Sequence, residues 1–473
     1  MKVLIVEDDI RNVDELKNGL VPRFGEDAIV FALNRDAAIQ ALESETFDLV
    51  VLDRKIPTAE NAFDSDIAYG DEVYQYLHDV IVGTPVRYWT ALPDDDYWDE
   101  KAKDIRQEDI WGSGIFHTVG FIGKSHPERI EEAIEEVRKG LASLDKVALN
   151  QKPGTEVELS TLETRVLKVF AKRLGGDSVE VAQISGGLSG AKVFFAAAWS
   201  DGKLTHRSVG KLTSINELRD ELERRKQFHK LNPGLTPDIV LQIRSGAGNL
   251  GGTFYQLAGK HERSLFKVLQ SNPKIGAEIA SRIKDGLEAW FKAANRRTSK
   301  IMDVRRQFAD DDAFSAVDLA FPQLQLKALE ENDVSWNESF CHGDLHGENI
   351  LCDDTSQPII IDFGDVGQSV AARDPVTLEL CNLFHPKGGR SADGWPSLEQ
   401  AKKWHDLNTY LDGCPYPDFV RLCRSWAYEW GCHVPALYAC AYSYLVRQFK
   451  YRDTDKALVG ALIESIVTGF RKL

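Results

Sequence analysis

The sequence predicts an α/β domain on a doubly wound five-stranded parallel sheet, followed by an α+β domain of two lobes. Three observations carry this. Short β-branched runs alternate with amphipathic stretches as far as Leu144, a β-rich stretch follows from Ser178 to Ala258, and the remainder is mainly helical except around 340–363. At 473 residues the chain is also too long for one ordinary core.

Within residues 1–144 the strand-like runs are VLIV (3–6), AIVFA (28–32), DLVVLD (48–53), PVRYWTA (85–91) and TVGFIGK (118–124). Ser125 and Glu128 stand in capping-box spacing ahead of the helical stretch RIEEAIEEVRKGLASL. Residues 145–158 break the periodicity around Pro153 and Gly154 and read as a linker. The stretch LSTLETRVLKVFAKRL follows, with a second capping box at Ser160 and Glu163 and a stop at Gly175 and Gly176. SVEVAQI, KVFFAAAW and HRSVGKL then read as antiparallel strands, with Asp201-Gly202 as the turn between the last two. A charged helix, INELRDELERRKQFHKL, precedes two further strands around the glycine-rich turn Gly246 to Gly252. The small lobe with its preceding helix is therefore 159–258, and the helical lobe is 259–473.

Composition excludes several functions. With 43% apolar and 27% charged residues and no run of 18 uncharged apolar residues, no membrane span is expected. The opening MKVLIVEDD lacks the features of a signal peptide, so a cytoplasmic location is expected. A net charge of −16 without a dense Lys/Arg run argues against a nucleic-acid partner. All seven cysteines fall between Cys341 and Cys440 with no C-x-x-C pair, as expected of reduced, buried thiols.

A doubly wound sheet gathers ligands at the carboxyl ends of its strands. Here those ends carry Glu7 and Asp8, then Asp53, Thr90 and Lys124. Crowded carboxylates repel one another, and a hard divalent cation such as Mg²⁺ relieves that repulsion. A lysine and a hydroxyl beside them suit the oxygens of a phosphoryl group. VLIVEDD, LVVLDRKIP, YWTAL and GFIGK together resemble the response-regulator receiver domain over its whole length. The resemblance implies that Asp53 is the phospho-acceptor and that Glu7, Asp8, Asp53 and the Lys55 carbonyl hold Mg²⁺. It further implies that Thr90 and Lys124 bind the phosphoryl group, that Phe121 is the aromatic switch position, and that a sensor histidine kinase or phosphotransfer protein is the partner. Residues 56–70 and 92–117 are longer than such domains usually have, which leaves the partner surface open.

In the second domain, FCHGDLHGENILCDDTSQPIIIDFGD sets Asp344 five residues ahead of Asn349, with Asp362 after an apolar strand. Phosphoryl transfer from ATP needs metal held on the phosphates and an acceptor hydroxyl aligned, and this spacing supplies both. Asp344 is placed to take the acceptor's proton, Asn349 and Asp362 to hold Mg²⁺, and His342 and His346 to shape the loop. HGDLHGEN and IDFGD resemble the catalytic and metal loops of aminoglycoside phosphotransferases and choline kinases, cousins of protein kinases, although those families often have proline where Gly347 or Glu348 stands. The resemblance implies a bilobal protein kinase-like fold and use of ATP and Mg²⁺.

The remaining parts lie upstream in the family's order. SGGLSGAK offers Gly186, Gly187, Ser189 and Gly190 as a phosphate loop. Lys211 would contact the α- and β-phosphates, with Glu221, in preference to Glu217, as its ion-pair partner. Gln256, Leu257 and Ala258 would present the backbone groups that pair with adenine, and Asp374 and Glu379 would brace the metal loop.

The expected function is thus a signal-regulated, ATP-dependent phosphotransferase acting on a hydroxyl of a small molecule or peptide, with a homodimer among its expected forms. A catalytically silent nucleotide-binding scaffold and a protein kinase in a phosphorelay are the alternatives. Specificity is expected from segments after residue 395, such as RSWAYEWGCHVPALYACAYSYL, and the acidic chain is compatible with a cationic acceptor such as an amine.

Overall fold

The computed structural model describes residues 1–91, 107–186, 191–231, 233–257, 263–390 and 394–473. They form two compact units, one of Met1–Arg219 with Asp238–Gln256 and one of Asp220–Pro237 with Leu257–Leu473.

The first unit opens with strands β1 (Val3–Val6), β2 (Ile29–Ala32), β3 (Leu49–Leu52), β4 (Val86–Thr90) and β5 (Val119–Gly123). They pair in parallel in the order β2-β1-β3-β4-β5. Alternation along the strands explains why both faces are covered. Val3, Ile5, Leu49 and Val51 enter one core with α1 (Ile10–Phe24) and α4 (Glu128–Asp145). Leu4, Val6, Val50 and Leu52 enter another with α2 (Arg35–Ser44) and α3 (Ile67–Val80). A parallel strand buried on both faces needs this continuous run of apolar residues.

Two local expectations are corrected here. Ser125 does not cap α4: the helix starts after Pro127 without a side-chain cap, and the Glu128 carboxylate instead meets His126 Nδ1 at 2.9 Å. Residues 145–158 are not wholly irregular. They contain β6 (Ala148–Gln151), which runs parallel to β7 (Ser178–Gly186). β6 is an edge strand held by backbone bonds and half exposed along its length, so its side chains show no apolar alternation.

With β8 (Lys192–Ser200), β9 (Lys203–Ser214), β10 (Ile239–Ile243) and β11 (Leu250–Gln256), the second sheet has the order β10-β11-β9-β8-β7-β6. The β8–β9 turn holds Asp201 at φ 50° and Gly202 at φ 71°, a left-handed pair that suits a tight hairpin. Helix α5 (Thr161–Arg173) carries the expected capping box of Ser160 and Glu163. It joins the two sheets into one core, in which Phe170 stacks on Phe254 at 4.1 Å. Trp111, within the 92–117 insertion, belongs to that core at 2% exposure and donates its indole N–H to the Gly246 carbonyl at 3.4 Å. A Cβ on Gly140 would lie 2.5 Å from the same indole, so the insertion packs inward only because that helix position is glycine.

Helix α6 (Ile215–Leu231) begins in this unit, and its residues from Asp220 belong to the second. There, α7 (Pro273–Phe291), α8 (Arg373–Phe384), α9 (Pro417–Gly431), α10 (Val434–Phe449) and α11 (Lys456–Phe470) supply most of the core. Strands β12 (Asn295–Lys300), β13 (Asp333–Cys341) and β16 (Gly367–Val370) form one sheet in the order β12-β13-β16. That sheet extends beyond the expected 340–363 region. β12 reads NRRTSK, a polar strand without the apolar alternation that betrays one in sequence. β14 (Ile350–Cys352) and β15 (Pro358–Ile360) pair beside the two-residue strand Arg263–Ser264. The stretch around Trp426, Trp430, Tyr442 and Tyr444 is buried and packs the core. All seven cysteines are unpaired, and no described helix is long and apolar enough to cross a membrane.

Candidate active site and an acidic cluster

At the carboxyl ends of the first sheet, Glu7, Asp8 and Asp53 bring ligand oxygens within 4.8 Å of one another. Glu7 is fully buried and Asp53 is 5% exposed. Lys124 bridges them, with Nζ 2.5 Å from Asp53 Oδ2 and 2.9 Å from Glu7 Oε2. Burial pushes both the Glu7 and the Asp53 carboxyl up, and the Lys124 bonds oppose the rise. Burial lowers the Lys124 ammonium, but its bonds to Asp53 and Glu7 outweigh that and hold it above its ordinary value.

One lysine does not balance three carboxylates. Two like charges 4 Å apart repel by about 4 kcal/mol in a partly buried setting. An all-oxygen donor set of this kind fits a hard divalent cation such as Mg²⁺. The Lys55 N–H reaches Asp53 Oδ1 at 3.3 Å, a local turn just after β3. Thr90 ends β4, where its carbonyl accepts the Lys124 N–H at 2.9 Å. Phe121 stacks on Tyr88 with ring centroids 5.5 Å apart.

In the second unit the loop after β13 is held from beneath. The buried Asp374 carboxylate accepts the His342 N–H at 2.7 Å and the Gly343 N–H at 2.9 Å. Gly343 has φ 86°, and a Cβ there would lie 2.3 Å from the Asp365 carbonyl oxygen, so only glycine fits. His342 is fully buried, with Nε2 3.1 Å from the Ile361 carbonyl, and shapes the loop. The loop then closes on itself as the Asn349 Nδ2 donates to the Asp344 carbonyl at 2.9 Å. That bond uses the amide's donor end and leaves its oxygen as the end a cation would take.

Asp362 sits just past β15 at φ 65°, a left-handed conformation uncommon for a residue with a side chain. Such backbone concentrates at functional sites. The next residue, Phe363, is fully buried and donates its N–H to Glu221 Oε1 at 3.4 Å. Glu221 is itself 3% exposed, whereas Glu217 is exposed and bonded by the Thr213 hydroxyl. Between the two candidates on α6, burial thus separates Glu221. Lys211 lies on β9 at 8% exposure, paired in register with Val193 and Thr253.

The Asp344 carboxylate faces a guanidinium and an imidazole. Arg447 Nη1 lies 3.3 Å from Oδ1, and His346 Nε2 lies 3.6 Å from Oδ2. Burial alone would raise the Asp344 carboxyl, but His346, Arg447, His342 and Arg373 hold it below its ordinary value. Arg447 was not legible as a site residue, because it ends a buried aromatic helix and carries no local motif. His385, whose ring lies 5.0 Å from that of His346, is pushed down to about 4 by burial.

Two expectations are revised. Glu379 does not brace the metal loop; it accepts from Arg424 at 2.7 and 2.9 Å and from the Trp404 indole at 2.9 Å, anchoring α9. The Gln256 N–H is spent on the Asp238 carbonyl at 2.6 Å, so that group is not open to adenine. Gly186 closes β7 opposite Lys192, while Gly187, Ser189, Gly190 and Ala258 lie outside the described residues; Leu257 is buried.

Residues 147–379 match the family model described as phosphotransferase enzyme family. Over these residues the chain is similar to that family. The match begins one residue ahead of β6. No curated protein matches the chain. Among solved structures, an aminoglycoside phosphotransferase APH(4)-Ia in apo form is 13% identical with a TM-score of 0.36, covering 62% of this chain and 95% of its own. An aminoglycoside-3'-phosphotransferase of type VIII is 18% identical at 0.34, covering 56% and 100%. A choline kinase from Cryptosporidium parvum Iowa II is 16% identical at 0.34, covering 62% and 90%. Within the matched residues lie Lys211, Glu221, Asp344, Asn349 and Asp362, and Arg447 lies beyond them.

Proposed function

We propose that this protein transfers the γ-phosphoryl group of ATP to an acceptor hydroxyl, under control of a receiver domain phosphorylated on Asp53. The phosphotransferase half rests chiefly on one observation. A loop pinned by Asp374 carries Asp344 and Asn349, and Asp362, next in sequence to the buried Phe363, is held in left-handed backbone. In this reading Asn349 and Asp362 hold Mg²⁺, which would neutralise phosphate charge. Asp344 orients the acceptor hydroxyl and takes its proton, and Lys211, kept in register by β9, meets the α- and β-phosphates.

The receiver half is supported by the parallel 2-1-3-4-5 sheet and by Glu7, Asp8, Asp53 and Lys124 gathered at its carboxyl edge. Its partner would be a sensor histidine kinase or a phosphotransfer protein. ADP release by the full chain with Mg·ATP, screened over hydroxyl compounds and peptides, tests the first half. Labelled phosphate retained after acetyl phosphate treatment tests the second. No ATP turnover by the wild-type chain under any acceptor, together with no Mg·ATP binding, would end the phosphotransferase reading.

A further inference from the structure

Helix α10 is buried from Ala436 to Val446 and then delivers Arg447 to the surface beside Asp344. The guanidinium is 18% exposed. Its Nη1 stands 3.3 Å from Asp344 Oδ1 and its Nη2 3.9 Å from Asp365 Oδ2, and Tyr451 also bonds it. Committed arginine–carboxylate pairs are bidentate, at about 2.7–2.9 Å. This contact is loose on both sides, so the planar fork is not matched to either carboxylate.

The arrangement makes chemical sense if the cation has another anion to hold once the acceptor arrives. Other basic groups contact the same loop, residues 342–349. His346 lies against the second Asp344 oxygen, Arg373 Nε donates to the Gly343 carbonyl at 2.8 Å, and Lys387 Nζ reaches the buried Glu348 at 2.7 Å. A polycationic acceptor would have to bring its charge against Arg447, which stays protonated at any working pH.

Resting on the phosphotransferase reading, we propose that Arg447 binds the acceptor, and that the acceptor is an anionic alcohol with a carboxylate or phosphate close to its reacting hydroxyl. On acceptor binding the guanidinium exchanges its loose contacts for a bidentate grip on that anionic group. The acceptor oxygen then forms its bond to the γ-phosphorus while the bond to the β-phosphate oxygen breaks, ADP leaving with the electron pair. The hydroxyl proton passes to Asp344 and from there to water. This assignment opposes the expectation of an amine drawn from net charge, because the local field at Asp344, and not the sum over the chain, meets the substrate.

The test is ADP release by the full chain with Mg·ATP and three acceptor sets. They are anionic alcohols (glycerate, glycerol 3-phosphate, sugar phosphates), neutral sugars and polyols, and amines (choline, kanamycin). Turnover is expected in the first set. R447Q should raise the acceptor KM at least about tenfold, the loss of one charged hydrogen-bonded contact, with a much smaller change in kcat, and R447K should recover part of it. Higher kcat/KM with an amine or a neutral sugar overturns the proposal, as does ATP hydrolysis that no anionic alcohol stimulates. So does a fall in kcat at unchanged KM in R447Q, which would assign Arg447 to the transferring phosphoryl group. Failure of the wild-type chain to bind Mg·ATP in calorimetry would instead remove the underlying phosphotransferase reading, and this proposal with it.

Discussion

Arg165 Nη1 lies 2.5 Å from Asp48 Oδ1 and 3.0 Å from the Gly246 carbonyl oxygen. One guanidinium on α5 thereby ties the start of β3 in the parallel sheet to the glycine-rich turn before β11 in the second sheet. Trp111 crosses the same junction, and the apolar core runs through it without a break.

That continuity predicts shared stability. Trp111→Ala should cost about 3–5 kcal/mol, the range for removing a large buried aromatic. It should lower the urea midpoint of signals from both sheets together. Probes placed in the two sheets that melt separately in the wild-type chain would contradict a common core.

Phosphate from acetyl phosphate, with Mg²⁺ present, is expected on Asp53. Asp53→Asn should abolish incorporation, and chelation of the metal should do the same in the wild type, since Glu7, Asp8 and Asp53 cannot neutralise one another. Equal incorporation in the variant would move the acceptor elsewhere.

Asp362→Ala should weaken Mg·ATP binding measured by calorimetry, because the lost carboxylate can no longer anchor metal on the phosphates. An unaltered binding isotherm would take Asp362 out of the site.

Asp344→Asn should behave differently, leaving Mg·ATP binding nearly intact while turnover drops by on the order of 10²-fold or more. A variant with full kcat would show that another group receives the acceptor's proton.

Coupling between the two sites is expected to run through α6. Asn216 Nδ2 donates to the Asp79 carbonyl at the end of α3 at 2.7 Å, and Glu221, five residues further along the same helix, accepts the Phe363 N–H. Beryllofluoride at concentrations that saturate Asp53 should therefore change ATP turnover, and Asn216→Ala should reduce that response. Identical kinetics and identical sedimentation with and without beryllofluoride would make the N-terminal domain a targeting module.

By itself the sequence determined which segments form elements and which residues carry chemistry. The five parallel strands, strands β7 to β11 of the second sheet and the capped helix α5 follow from local periodicity and turn residues. Glu7, Asp8, Asp53 and Lys124 announce themselves at strand ends, and Asp344, Asn349 and Asp362 lie in one short segment. Only the tertiary structure decided what has no local signature. β6 and β12 are polar strands recruited by backbone bonding, so no side-chain pattern marks them. Trp111 reads as part of a surface insertion until Gly140 and Gly246 leave room for its ring. Glu379, five residues beyond the Asp374 that pins the loop, is drawn to Arg424 instead. Arg447 lies 103 residues from Asp344, and its meeting with that carboxylate depends on where a buried helix ends, which packing sets and periodicity does not.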